Sequence, residues 1–539
     1  MWASPQHGDL SFGQKGKNLL NLHGGSPGSS DGARRPTPVA SKAHSGDRRD
    51  RRRSSAGAEM SSRFARTIAR GYATNTVYLG LGSNTGDRRT HIRDALRHLA
   101  ALHPATRVLD ASFLYQSKPM YLLDQPPFLN AACKISTPLE PLQLLKLVKT
   151  VEAAQGRILH GQPRNGPRPI DIDILLYNSD IVRHPDLTIP HIGIVERQFV
   201  LAPLADVARR TIHPETQTSI ESLLADLELK SGAAGMVRKT HLVGGAGCRT
   251  LDLSERTHLM AIVNCTPDSF SDGGECLAAE DAVDRALEHA AAGADILDIG
   301  GMSTRPGAPE VSLETEIQRT LPVIRALRHH HRLDCHISID TFRAQTAEAA
   351  VAAGATIVND VSGGDADPAM LPTVARLDVP YVLMHMRGNP RTMGQLTSYH
   401  HVVEDVRAEL AAKVQRALDA GIKRWNLIID PGFGFAKDLA ANCQLLHSLH
   451  ALQRPSSAED HHNILHGFPL LVGLSRKRFL AQLLARPSNS SLPPPDQRLV
   501  PTIVASTIAV RNGAHIIRAH DTKAIKQAIT TLDGIRSFS

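Results

Sequence analysis

HISIDTFRAQTAEAAVAAGATIVND, residues 336–360, reads as strand, helix and strand in direct succession. Its ends, 336–340 and 357–360, are short apolar runs, and the Ala-rich stretch between them has helical periodicity. Both strand-like runs finish on polar residues, Asp340 and Asn359-Asp360. On either side the same pattern recurs, at 259–264, 296–301, 381–385, 426–430, 470–475 and 516–520. Eight β/α units between residues 257 and 537 predict an α/β TIM (β/α)8 barrel. A doubly wound sheet of six or seven strands is the alternative fold.

Each of these strands reads as apolar until its C-terminal end. There the sequence supplies Asn264; Ser303, Thr304 and Arg305; Asp340; Asn359 and Asp360; His385; Asp430; Ser475, Arg476 and Lys477; then Arg518 and His520. In a barrel these ends converge on one mouth. A lone Asp or Asn after a strand is ordinarily a turn residue, but turns do not explain all eight ends. Asp340, Asn359, Asp430 and Lys477 suit a flat, amide-rich heterocycle such as a pterin. Thr304, Arg305, Arg518 and His520 suit a departing pyrophosphate. Asn264 can offer a carbonyl oxygen to Mg2+ carrying that pyrophosphate. No Ser–His–Asp or Cys–His pairing points to a covalent nucleophile, so Cys265 is read as packing.

A second cassette, GPRPIDIDILLY, lies upstream at residues 166–177. Around it, residues 75–230 alternate strands and helices at short range: strands at 76–81, near 112–114, at 128–135 and 170–177, with helices over 91–102 and 139–154. That pattern predicts a compact α+β domain. On a strand Asp171 and Asp173 face the same side, while Ile170, Ile172 and Ile174 face the core. Two adjacent carboxylates repel unless a cation separates them, and Mg2+ prefers one or two carboxylates plus phosphate oxygens. Arg157 and Arg168 flank the pair as guanidiniums would in a triphosphate site. A polar strand edge carrying chance acids is the alternative. GLGSNTGD lacks the Gly-Lys-Ser/Thr ending of a Walker A loop.

GLGSN, DQPPFLNAA, EAAQGR, NGPRPIDIDILLY and TIPHIGIVERQFVLAPL, in that order, resemble 6-hydroxymethyl-7,8-dihydropterin pyrophosphokinase across residues 76–230. The resemblance implies a ferredoxin-like fold that transfers pyrophosphate from ATP to 6-hydroxymethyl-7,8-dihydropterin. It further implies that Asp171 and Asp173 hold two Mg2+ ions and that Phe128 and Phe199 sandwich the pterin. Asn130 would bind the pterin edge, and Arg157, Arg168, His191 and Arg197 would serve the phosphates. Leu159 and Asn165 depart from the cationic or aromatic residues of some relatives.

MAIVNCTPDSFSDGG, GGMSTRPGA, ISIDTF, IVNDVSGG, VLMHMRGNP, IIDPGFGFAK, VGLSRKRFL and IIRAHD occur in the order found in dihydropteroate synthase, over residues 258–535. This resemblance implies condensation of the pterin pyrophosphate with p-aminobenzoate to give 7,8-dihydropteroate and pyrophosphate. Loops holding residues 268–274 and 303–307 would close over the site, and Phe435, Ser475 and Lys477 would place p-aminobenzoate. Asp340, Lys477 and Arg305 are the expected catalytic groups of the barrel, as Asp171, Asp173, Arg157 and Arg168 are of the kinase. Met302 replaces a Glu common in bacterial relatives. Barrels of this family are commonly dimers, which implies a homodimer through the barrel.

The chain has 539 residues, 61 Lys and Arg against 53 Asp and Glu, and a net charge of +8. Residues 1–70 hold 13 of the bases and five of the acids, so the body is neutral and nucleic-acid binding is not expected. No apolar run approaches the roughly 20 residues that span a bilayer, so the chain is read as soluble. Six scattered cysteines without CxxC spacing fit reduced thiols and give no zinc site. Residues 1–74 are expected to be a disordered tail. Within it, 60–72 carries Arg63, Arg66 and Arg70 at helical spacing and no acid, like a mitochondrial presequence; a solvated basic helix is the alternative, and Met60 is an alternative start. The tail is too short for an upstream aldolase domain of the kind some fungal relatives carry. Residues 231–256 read as a linker. Three other functions remain on this reading: another pterin-binding barrel enzyme such as a methyltetrahydrofolate methyltransferase, an inactive pterin-binding protein, and a basic RNA-associated protein.

Overall fold

The computed structural model describes residues 74–158, 166–231, 237–244, 248–265, 275–303, 310–454, 463–485 and 491–538. The tail through residue 73, with its presequence-like segment, lies outside the described residues, as do Leu159, Asn165, Thr304, Arg305 and residues 268–274.

The first domain opens with β1 (Asn75–Ser83), β2 (Arg107–Ala111), β3 (Leu114–Ser117), β4 (Phe128–Thr137) and β5 (Asp171–Tyr177). β1 lies between β5 and β4, and β4 also carries β2 and β3. Strand alternation explains why both faces are covered. Val77, Leu79 and Leu81 of β1 share a core with Ile92 and Leu99 of the helix Arg88–Leu102 and with Leu144 and Val148 of Pro141–Ala154. Tyr78 points the other way, to Leu201 and Leu204 of the helix Gln198–Ala208. Asp87 caps the helix Arg88–Leu102 by accepting from Thr90 N–H at 3.0 Å. A small hairpin, β6 (Val182–His184) with β7 (Leu187–Ile189), follows β5.

Two expectations need correction. The strand expected near 112–114 is two strands, β2 and β3, divided at Ser112 and Phe113. The expected linker is partly structured. β8 (Val237–Thr240) adds to the edge of the first sheet by pairing with β3, and β9 (Leu242–Val243) pairs with β10 (Leu251–Asp252). Val237-Arg238-Lys239-Thr240 is too short and too charged to show a period. It is held by ladder hydrogen bonds and by the Lys239 ammonium, 4.1 Å from the Phe113 ring centroid.

The second domain is the barrel: β11 (His258–Asn264), β12 (Ile296–Gly300), β13 (His336–Asp340), β14 (Ile357–Asp360), β15 (Tyr381–Met384), β16 (Leu427–Asp430), β17 (Leu471–Gly473) and β18 (Ile516–Ala519). All pairings are parallel, in the order β16-β15-β14-β13-β12-β11-β18-β17, and the bridge Ile429–Leu470 closes the ring. The bottom interior layer is Met260, Ile296, Ile357, Val382, Ile428, Leu471 and Ile516. Val243, Leu251 and Leu253 from the β9–β10 region plug it from below. Two residues further along, four of these strands change the character of the interior. Ile296 gives way to Asp298, Ile357 to Asn359, Ile428 to Asp430 and Ile516 to Arg518. Period-two alternation thus lifts the polar groups onto a hydrophobic floor.

The two domains share buried contacts. Phe113 meets Phe468 of the barrel edge-on at 4.8 Å, and Trp425, just before β16, joins the core of the first domain. Arg424 pairs with Asp110 at 2.9 Å, and Arg97 with Asp378 at 3.3 Å.

Candidate active sites

In the first domain, Asp171 and Asp173 stand together on the open face of β5, with Ile172 and Ile174 in the core. Arg168 pairs with Asp171 at 2.7 Å, and Arg157 bridges Asp171 and Glu152. Burial works against the Asp171 charge, but these two guanidiniums hold its carboxyl below the usual range. Among the described residues Asp173 has no such ion-pair partner. Burial and the neighbouring Asp171 charge push it up to about 6. A carboxylate destabilised by its twin is what a cation would relieve, so the pair fits Mg2+.

A pocket extends from these acids over β1 and β4, lined by Gly82, Phe128, Asn130, Tyr121, Arg197 and Phe199 among others. Asn130 donates to Ser117 Oγ at 2.9 Å and to Tyr115 O at 3.3 Å, which fixes its amide orientation. Arg197 donates to Tyr121 OH at 2.8 Å, with its guanidinium carbon 6.0 Å from the Phe199 ring centroid. His191 Nδ1 accepts from Gly193 N–H at 3.1 Å, so its proton sits on Nε2 as a donor. Burial and Arg197 both lower its proton affinity.

Three residues carry the arrangement without having been singled out in the sequence. Asn84 accepts from Arg168 N–H at 2.8 Å and donates to Gln125 Oε1 at 3.0 Å and Pro126 O at 3.2 Å, tying three loop segments together. Glu152 is fully buried, accepts Ile172 N–H at 2.8 Å and pairs with Lys149 at 2.9 Å. Tyr121 holds Arg197. Asn84 closes the GLGSN motif and Glu152 opens EAAQGR, so the signal was present without a geometry.

At the barrel mouth, Arg518 of β18 donates from Nε to Asp298 at 2.6 Å and from Nη2 to Asp340 at 2.7 Å. The sequence grouped Arg518 with the anion-binding set; the structure commits two of its five N–H donors to carboxylates. Asn359 Nδ2 also donates to Asp298, at 3.0 Å. Burial pushes the Asp340 carboxyl up to about 7; Arg518 opposes this, and Asp298 adds to it. Asp430 accepts Gly432 N–H at 2.7 Å and is raised to about 6 by burial. Lys477 is lowered to about 8 by burial and Arg518, and its ammonium lies 4.2 Å from the Phe435 ring centroid. Ser475 Oγ lies 3.0 Å from His520 Nδ1 and accepts His520 N–H at 3.2 Å. Asn264 ends β11 opposite Gly300. The buried Cys265 thiol is pushed up to about 12, which leaves it a packing residue.

Asp298 overturns the expectation that each strand stays apolar until its end, because it sits inside β12. The sequence also passed over Lys437, whose ammonium donates to Gly432 O at 3.0 Å, Phe435 O at 3.1 Å and His385 Nδ1 at 2.9 Å. His385 Nε2 then donates to Glu409 at 3.0 Å, and Arg387 pairs with the same carboxylate. Gly432, at φ +68°, admits no side chain there, since a Cβ would lie 2.0 Å from His385 O.

Fold and sites together define a tandem enzyme class, with a pyrophosphokinase-type α+β domain ahead of a pterin-binding barrel. Residues 78–209 match the family described as 7,8-dihydro-6-hydroxymethylpterin-pyrophosphokinase, and residues 260–520 match the pterin binding enzyme family. The chain is 40% identical over 476 residues to "Folate synthesis bifunctional protein, mitochondrial" of Pisum sativum, covering 85% of this chain and 89% of that protein. It is also 40% identical over 462 residues to "Folic acid synthesis protein fol1" of Schizosaccharomyces pombe, covering 85% of this chain and 59% of that protein. The chain therefore spans about three fifths of the length of that fungal relative. A Plasmodium falciparum HPPK-DHPS triple mutant crystallised with pteroate shares the fold at a TM-score of 0.70 and 22% identity, over 86% of this chain and 95% of that one. The chain belongs to the family of bifunctional folate synthesis proteins.

Proposed function

We propose that this chain performs two consecutive reactions of folate synthesis, in separate sites. The observation that supports this best is the coexistence of the Asp171/Asp173 pair beside an aromatic pocket with a carboxylate-rich barrel mouth.

In the first site the pterin ring lies between Phe128 and Phe199, with its edge on Asn130. The hydroxymethyl oxygen attacks the β-phosphorus of ATP, the bond to the α-phosphate oxygen breaks, AMP leaves, and the hydroxyl proton is released to water. Asp171 and Asp173 would hold Mg2+, which would neutralise phosphate charge. Arg157, Arg168 and Arg197 stabilise the oxygens of the transferring group, and His191 offers its Nε2 proton.

In the barrel, Asp430, Asn359 and Lys477 bind the pterin ring, and Asp340 in its ionised form stabilises positive charge on the ring as the C–O bond breaks. Pyrophosphate leaves toward His520, with Arg518 at the boundary between ring and anion; Thr304 and Arg305 are assigned to the same anion by the sequence alone. Asn264 completes that side, suited to Mg2+ carried by the leaving group. The neutral amine of p-aminobenzoate, placed by Phe435 and Ser475, forms the new C–N bond and loses a proton. No strong base is required.

The apolar face formed by the helices Arg478–Ala485 and Leu499–Arg511, with Leu484 and Val504 about half exposed and Val500 70% exposed, supports a homodimer through the barrel. The basic segment at 60–72 and the mitochondrial designation of the pea relative support a matrix location.

The test supplies the purified chain with 6-hydroxymethyl-7,8-dihydropterin, ATP, Mg2+ and p-aminobenzoate. AMP and dihydropteroate should appear together. AMP without dihydropteroate would remove the second activity.

A further inference from the structure

Asp298 is fully buried at the middle of β12, one interior layer above Ile296. A single oxygen, Oδ2, accepts from both Asn359 Nδ2 at 3.0 Å and Arg518 Nε at 2.6 Å. Arg518 continues to Asp340 at 2.7 Å. Side chains from β13, β14 and β18 thus depend on one carboxylate of β12. Oδ1 of Asp298 has no hydrogen-bond partner among the described residues, and neither does Ser338 Oγ, its register neighbour on β13. An acid kept for stability would have both oxygens bonded, because a buried charge is costly unless fully paired. Packing alone would place another aliphatic residue here, as in the layer below.

We propose that Asp298 is a positioning residue for the condensation, holding Asn359 and Arg518, and through Arg518 also Asp340, in the orientation that receives the pterin. This rests on the reading of the barrel as the condensation site. Asp298 touches no substrate itself; it acts through groups that do. Among the described residues, the charged groups that act on Asp340 include Arg518, Lys477, Asp298, Glu316 and Asp360. Burial and the three acids favour the protonated carboxyl, while Arg518 and Lys477 favour the carboxylate. Replacing Asp298 by Asn keeps an acceptor oxygen and removes one of the three acids. Asp340 must then ionise at lower pH, and the acid limb of the condensation must move with it.

The experiment uses the full chain, with the kinase reaction as a check on folding, and follows condensation of supplied pterin pyrophosphate with p-aminobenzoate from pH 5.5 to 9. For Asp298→Asn the KM for the pterin pyrophosphate should rise about tenfold or more, the loss expected when bonds to a charged anchor are weakened. The acid limb should shift to lower pH. An active wild type whose Asp298→Asn variant keeps both KM and acid limb overturns the inference. A wild type that makes no dihydropteroate overturns the functional reading instead. Should Asp298→Asn fail to fold, Asp298→Ser is measured in the same way. Loss of a folded barrel in both would assign Asp298 to folding alone and also overturn the proposal.

Discussion

Arg89 donates from its guanidinium to Asn426 Oδ1 at 2.7 Å, joining the first helix of the kinase domain to the residue that precedes β16 of the barrel. Both side chains are buried, and Asn426 Nδ2 passes the connection on to Asp378 at 2.8 Å. Lys423 and Arg97 pair with the same acid at 2.8 and 3.3 Å. A truncation here leaves buried polar groups unpaired, which costs about 1–3 kcal/mol. Arg89→Met should therefore lower stability by about that amount and split thermal unfolding into two transitions. A single unchanged transition in calorimetry would show that the domains are not coupled through this contact.

Asp340 tests the chemistry of the barrel. Its carboxyl is held up to about 7, so its ionised form is lost as pH falls through neutrality. The condensation should accordingly slow below about pH 7. Asp340→Asn should reduce turnover about a hundredfold or more, as removal of a preorganised electrostatic group does. A change under threefold would sink the role assigned to it.

Lys437 anchors the loop that carries Phe435, through the carbonyls of Gly432 and Phe435. Lys437→Met keeps the stem but removes all three bonds. KM for p-aminobenzoate should rise about tenfold while the kinase reaction is untouched. An unchanged KM would place the loop's order elsewhere.

Three histidines near the barrel floor, His241 and His336 buried and His515 half-buried, contribute to the acid stability. Burial holds His241 down to about 3, and His336 and His515 down to about 4. His515 Nδ1 accepts Leu470 N–H at 3.1 Å, which holds that ring neutral, while His336 Nε2 donates to Arg249 O at 2.8 Å, a bond that only partly offsets the cost of burying a charged ring. The unfolded chain binds protons at these positions near pH 6.5, and the folded chain does not. Their contribution is therefore present above about 6.5 and is lost as pH falls toward 4, by about 2–3 kcal/mol each. Melting temperature should drop steeply across that window, and His515→Gln should flatten the drop. A melting temperature independent of pH between 6.5 and 4 would contradict it.

The barrel was legible because every strand–helix unit repeats one pattern, and residues such as Asp340, Asn359 and Asp430 stand at strand ends where polarity cannot be packing. The Asp171/Asp173 pair was legible for the same reason, as charge at alternate positions of an apolar strand. Asp298 was not, since its partners Asn359 and Arg518 come from strands 61 and 220 residues away. Lys437 ends a Gly-rich stretch, and only the structure shows its ammonium buried and bonded inward. β8 escaped because ladder bonds, rather than apolar alternation, hold an edge strand in place.

The most direct test of two independent sites in one chain is Asp171→Ala, assayed twice. With the pterin alcohol, ATP, Mg2+ and p-aminobenzoate, the variant should release no AMP and make no dihydropteroate. Given the pterin pyrophosphate and p-aminobenzoate instead, it should make dihydropteroate at the wild-type rate. Loss of both reactions would contradict the account.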